Sequence, residues 1–262
     1  MIKKYLAFMR AAWTLTLEYR AQILIWMMGS LFVVIMLMVW LSISSKGPVG
    51  GYSAADFVTY YMVSLFVRQM TAVWASYELD YNIREGRLSP MLLRPIHPIH
   101  NDVATNWSEK GLRLIIIVPI LVLVFWLVPH TPIPWSVPGV ALFLLSLIGA
   151  WLIVFLSDYV IGIFCFWTTQ AVAFVQTFYF VRMMFSGVIA PLTVFPDSMQ
   201  TLLHYLPFRY MLSFSTELLM GRLATAEIAQ GFATQWAWAL CFFVLVRVLW
   251  RRALRNYSAV GA

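Results

Sequence analysis

Residues 78–100 read ELDYNIREGRLSPMLLRPIHPIH, and the reading of this run decides the fold. It carries Glu78, Asp80, Arg84, Glu85, Arg87 and Arg94, with long hydrophobic runs on both sides. Charge at that density cannot rest in hydrocarbon, so the run is a water-facing loop between two membrane spans. The spacing predicts a short helix over Glu78–Arg87, with Gly86 loosening its end. A second helix starts at Ser89-Pro90, where proline suits the first turn. Pro95 and Pro98 stop that second helix. Two short helices in a polar loop make a solid knob on the cytoplasmic side, able to take up force from a soluble partner.

The composition around this run agrees. Hydrophobic residues make up 62% of the 262 residues and charged residues 11%, with a mean hydropathy of +0.81. Soluble domains carry about twice that share of charge. Apolar runs of about 20 residues recur, as a polytopic helical membrane protein requires. The runs are continuous and do not alternate with period two, which argues against a transmembrane barrel. The net charge of +7 is read as marking cytoplasmic faces, and no nucleic-acid partner is expected. Cys165 and Cys241 both lie in apolar runs and read as small buried hydrophobes with no disulfide implied. No cleavable signal peptide is expected, because Lys3 and Lys4 precede a helix with a polar face rather than an apolar core.

Residues 3–20 read as an amphipathic helix. Leu6, Met9, Trp13 and Leu17 share one face; Lys3, Arg10, Thr14 and Glu18 share another. Such a helix lies in the membrane interface or extends the first span into the cytoplasm. Six spans are expected, near residues 22–43, 55–77, 112–128, 139–161, 168–190 and 232–250. One side holds Lys3, Lys4, Arg10, Arg20, Arg84, Arg87, Arg94, Lys110, Arg113, Arg247, Arg251, Arg252 and Arg255. The other holds Lys46, Arg209 and Arg222. By the positive-inside rule both termini and the 78–111 loop are cytoplasmic.

The stretch Pro191 to Gly231 is too polar and too broken by Pro191, Pro196 and Pro207 for one span, yet too apolar for a free loop. Asp197 or Ser198 is placed to cap a helix through Tyr205. A second helix is expected from Arg209 to Met220, ended by Gly221. Two short apolar helices here read as a hairpin dipping into the outer leaflet, with protein covering its backbone.

Enzyme chemistry finds no constellation. There is no G-x-x-x-x-G-K-[ST] phosphate loop, no G-x-S-x-G elbow and no H-E-x-x-H. His97, His100, His130 and His204 lack metal-ligand spacing, and Pro98 separates the first two, so no metal site is expected.

The run E-x-x-x-x-I-R-E-G-x-L-x-x-x-L-x-R-P at Glu78–Pro95 resembles the first cytoplasmic loop of type-2 ABC exporter permeases. The run S-G-x-x-x-P-x-x-x-x-P at Ser186–Pro196, with the break at Leu206-Pro207, resembles the same family's outer re-entrant hairpin. Arg87-Leu88 stands where a Gly-Thr-Glu run is common, and Arg94-Pro95-Ile96 looks more like a bacterial subgroup with an R-P-I element. The resemblance implies an all-α polytopic membrane protein. It would have six transmembrane helices, an N-terminal interfacial helix (1–21), a cytoplasmic coupling loop (78–111) and an outer hairpin (191–231) in a single permease domain (1–262). It further implies a dimer, of two copies or with a related permease, in the bacterial cytoplasmic membrane. A separate ATPase subunit would bind ATP and Mg. Glu78, Arg84, Glu85, Arg87 and Arg94 would then make polar contacts with that ATPase, while Leu88, Leu92 and Leu93 fill its groove.

Arg68 and Arg182 fall inside expected spans. Each either lines a substrate path or subunit interface, or is satisfied by carbonyls of its own bundle or by snorkelling. Asp158 is a candidate partner for either, or is simply hydrated. Phe174 and Phe178 are candidates for an apolar path, against lipid-facing packing. Two other classes fit less well. An ion-coupled secondary transporter calls for paired intramembrane carboxylates, and a membrane-embedded lipid-handling enzyme calls for clustered His, Asp or Glu at one interface.

Overall fold

The computed structural model describes residues 31–168 and 171–257, together with residues 13, 14, 18, 21, 25, 28 and 29. The expected interfacial helix over 1–21 and the start of the first span lie largely outside these residues. Among the described residues all regular structure is helical, apart from one bridge between Val49 and Tyr52. The order is α1 (Leu31–Ser44), α2 (Ala54–Thr71), α3 (Ala75–Arg84), α4 (Leu88–Leu92), α5 (Ile99–Leu127) and α6 (Val137–Ile163). There follow α7 (Ala171–Phe185), α8 (Asp197–Tyr205), α9 (Pro207–Met211), α10 (Ser213–Leu219) and α11 (Thr225–Asn256).

Among the described residues, three helices are long and apolar enough to cross a membrane: α5, α6 with the 3-10 turn that follows it, and α11. Half of the apolar window of α6 is buried, against 22% in α5 and 17% in α11, so α6 is the central one. It packs most heavily on α11 and also on α2, α3, α7, α9 and α10. The outer faces of α5 and α11 expose Ile115, Val122, Trp126, Leu240, Phe243 and Val244. In a membrane-spanning helix such residues meet lipid rather than water. α1 and the apolar part of α7 are shorter apolar helices.

α2 is buried on nearly every side although its sequence is only modestly apolar. Its polar groups are therefore paired. Tyr60 donates to Gly187 O at 2.8 Å, Tyr61 to Ile189 O at 2.7 Å and Thr59 to Thr131 O at 2.8 Å. Gly187 has φ +97°, and a Cβ there would collide with the Ser213 and Tyr60 hydroxyls. The start of α2 is a capping box: Ser53 Oγ accepts from Asp56 N, and the Asp56 carboxylate accepts from Ser53 N.

Several elements differ from the sequence reading. The expected 78–111 loop is α3, α4 and the first half of α5, which runs unbroken from Ile99 into the apolar stretch. Gly111 between them is tolerated inside the helix, and Pro119 removes one donor without ending it. The first short helix begins at Ala75 and ends at Arg84, and Gly86 takes φ +67° just beyond it. The helix over Asp197–Tyr205 is as expected, but Pro196 occupies its N-cap and no side chain caps it. The expected Arg209–Met220 helix is two pieces, broken at Leu212. Gly231 lies inside α11, where a Cβ would collide with the Phe214 ring. Cys165 is buried, but Cys241 is exposed on the apolar surface of α11.

Candidate functional site

The charged run at residues 78–100 folds as most of α3, α4 and the first residues of α5, with α3 packed against α6. Leu88 is fully buried and belongs to this chain's own core, where it contributes about 1.5–3 kcal/mol. Its side chain thus lies within this chain's own core rather than on the outward face expected of a groove-filling residue. Leu92 packs partly on the same core, while Leu93 is 88% exposed. Glu85, Arg87 and Arg94 are exposed. Arg84 is bonded to Asp80 at 2.7 Å within α3, and the Arg87 guanidinium lies 4.8 Å above the Tyr81 ring. The outward face is thus Glu85, Leu93 and Arg94, with Arg84 and Arg87 beside it. Ser89 and Tyr257 share a hydrogen bond at 2.9 Å, and His97 rests 4.7 Å from the Trp250 ring, so the segment is tied to the end of α11. Burial holds the His97 imidazole below its usual range, helped by His100 and Arg247.

Glu78 does not face outward either. With Asp102, Asn106 and Glu109 it lines an internal void of about 10 Å³, roughly one water. Burial first, then the Asp102 and Glu109 carboxylates, pushes its carboxyl up to about 8, so it is predominantly protonated at neutral pH.

Between α2 and α3 the helix breaks at residues 72–74. The freed groups are met by side chains. Asn106 Nδ2 donates to Ala72 O at 3.0 Å and Lys110 Nζ to the same oxygen at 3.2 Å. Asn106 Oδ1 accepts from Lys110 at 2.7 Å and from Trp151 Nε1 at 2.8 Å. Beyond the break, the buried Asp158 carboxylate of α6 accepts from Ser76 N at 2.9 Å and Ser76 Oγ at 3.0 Å. It thereby satisfies an N-terminal amide of α3 and sits at the positive end of that helix. At Gly162 a Cβ would lie 2.9 Å from Ser76 Cα, so only glycine allows this approach. The joint is therefore built: α3 is hinged to α2 and clamped to α6.

Above the joint lies a cavity of about 110 Å³ lined by Arg68, Arg113 and Arg182, with no carboxylate among the described residues of its wall. Arg113 is neutralised, bonded to Gln69 Oε1 at 3.0 Å and to Glu109 at 3.3 Å. Arg68 donates to the Tyr179 hydroxyl at 3.0 Å and to Gly29 O at 3.4 Å. The Arg182 guanidinium lies 4.8 Å from the centre of the same Tyr179 ring. Phe174 and Phe178 are not in this wall: Phe174 is exposed on α7, and Phe178 packs against Phe208.

At the opposite end, Asp56 accepts from Thr131 at 2.8 Å and pairs with Arg222 at 2.8 Å, while Arg222 lies 3.8 Å above the Tyr52 ring. Arg209 pairs with Glu217 at 2.8 Å, and its other nitrogen contacts His204.

Asp158, Asn106 and Tyr179 were not singled out for these roles by sequence. The i,i+4 spacings Asn106–Lys110 and Glu109–Arg113 were the signal available for the network, since they place each pair on one face of a helix. No such spacing connects Asp158 to Ser76.

Comparison with known proteins places these features. No curated protein matches the chain. The family model described as "ABC-2 family transporter protein" matches residues 24–261. Such proteins are multi-pass membrane subunits that associate with an ABC ATPase. The chain therefore belongs to the ABC-2 transporter family and is a permease subunit of an ABC transporter.

Proposed function

We propose that this permease works in export, as a dimer of two copies or with a related permease, coupled to a separate ATPase subunit that binds ATP and Mg. Its place is the bacterial cytoplasmic membrane, with both termini and α3–α4 on the cytoplasmic side. The spans are α1, α2, the second half of α5, α6, α7 and α11. The α8–α10 stretch forms a re-entrant outer hairpin. The observation that carries this reading is the mounting of α3. The end of α3 and the α4 segment after it carry Glu85, Leu93 and Arg94 outward, yet α3 is clamped by Asp158 to the central helix, so displacement of that outer face would be passed to α6. Glu78 and Leu88 support the segment from within, while Arg84, Arg87 and Leu92 complete the docking face.

The test is affinity purification of the tagged chain from native membranes in mild detergent. A stoichiometric ATPase should accompany the wild type. Glu85→Arg with Leu93→Asp should lose it while membrane insertion and yield are unchanged. Co-purification of the double variant with its ATPase at wild-type yield would overturn the docking assignment.

A further inference from the structure

We infer that the cavity between α2 and α7 binds the oxyanion head group of an amphiphile, held by Arg68 and Arg182 on either side of Tyr179. This rests on the permease reading and gives it a substrate chemistry. Arg113 already has Glu109 and Gln69, but Arg68 and Arg182 make no ion pair among the described residues. One nitrogen of each, Nη1, is buried with no hydrogen-bond partner. Asp158 interacts electrostatically with Arg182 but is committed to Ser76. Two guanidinium groups with spare donors, in a wall whose described residues include no carboxylate, leave a local positive charge that a membrane interior penalises strongly. An anion would remove that penalty, and a tetrahedral oxyanion can accept from two guanidinium forks at once.

Size and surroundings narrow the class. A volume of about 110 Å³ suits a phosphate, sulfonate or carboxylate head and is well below the roughly 300–1,000 Å³ of a pocket that takes a whole drug-sized molecule. The elements that contribute to the wall also expose apolar side chains: α7, which carries Tyr179 and Arg182, exposes Phe174 and Phe180, and α1, which follows Gly29, exposes Leu31 and Ile35. They offer an acyl or alkyl tail a lipid-like surface outside the cavity.

The test uses the full chain, purified with its ATPase, and reads thermal stabilisation and direct binding with dodecyl phosphate. Dodecanol, dodecyltrimethylammonium and inorganic phosphate serve as comparison probes. Dodecyl phosphate is expected to stabilise the wild type, with the other three giving little. Arg68→Gln with Arg182→Gln should weaken binding at least tenfold, and Arg68→Lys with Arg182→Lys less. Without ligand the Gln variant should be at least as thermally stable as wild type, because it relieves uncompensated charge. Equal binding by wild type and Gln variant, equal stabilisation by dodecanol, or a Gln variant that fails to fold would each overturn the inference. Saturation by inorganic phosphate at the same concentration would overturn the amphiphile. ATPase co-purification should be unchanged in all variants, so failure here is separable from failure of the permease reading.

Discussion

Among single residues Glu78 has the clearest measurable signature. Its carboxyl is raised from 4.5 to about 8 by burial and by Asp102 and Glu109, with Asp158 adding to the effect and Lys110 close by on the same network. An acid raised in the fold binds more protons folded than unfolded between those values, so its contribution to stability falls as pH rises through that window. His97 acts with the opposite sign, because its depressed value makes the fold gain as pH rises through the range near 6.5. Reading pH 7 to 8 separates the two. Glu78→Gln should flatten the fall in thermal midpoint over that interval and raise stability at its upper end; a slope identical to wild type would remove Glu78 as the cause. The sequence marked Glu78 as charged and loop-borne, which is correct for its neighbours Glu85 and Arg94. That it turns inward could not be read, because it depends on α5 continuing helically through residues 99–113 and presenting Asp102 and Glu109 beside it.

At the scale of elements, the α2–α3 joint and its clamp carry the prediction. Asp158→Ala removes two acceptor contacts from Ser76 and leaves an N-terminal amide of α3 without its partner. Each charge-assisted bond is worth about 1.5–3 kcal/mol before the relief from burying the carboxylate is subtracted. The variant should therefore lose thermal stability on the order of 1–3 kcal/mol. It should still bring down its ATPase, but transport should fall at least tenfold relative to ATP hydrolysis. Asp158→Asn, which keeps one acceptor, should fall between. A fully coupled Asp158→Ala variant would show that α3 passes its displacement elsewhere. The elements themselves were largely legible: Gly86, Pro95, Pro98, Pro207 and Gly221 punctuate the chain as their backbone preferences require. The joint was not, because nothing between Thr71 and Ala75 is glycine or proline. It exists because Asn106 and Lys110 approach from α5 and supply the bonds that the break gives up.

For the whole molecule, the distribution of basic residues fixes an expected orientation that thiol labelling can check. With Cys165 and Cys241 replaced by alanine, Leu93→Cys should react with a membrane-impermeant maleimide only in inverted vesicles. Leu202→Cys, on the exposed face of α8, should react only in intact cells; the reverse pattern would invert the topology. At this scale the membrane class, the charge asymmetry and the broken segment before the last helix were readable from hydropathy and proline positions. The central position of α6 was not. Its sequence is uniformly apolar, like those of helices that face lipid, and its neighbours become visible only when the chain is folded. The knot of Ser53, Asp56, Thr131 and Arg222 joins the far ends of α2, the α5–α6 connection and the start of α11. Its consequence is mechanical. In the proposed coupling, a push on α3 would reach α6 through the Asp158 clamp while the far end of α2 stays tied at Asp56, so the expected first response is a swing about that outer tie. The inner ends of α2 and α6 would swing apart or together, while the outer rim holds until the Asp56–Arg222 pair is broken.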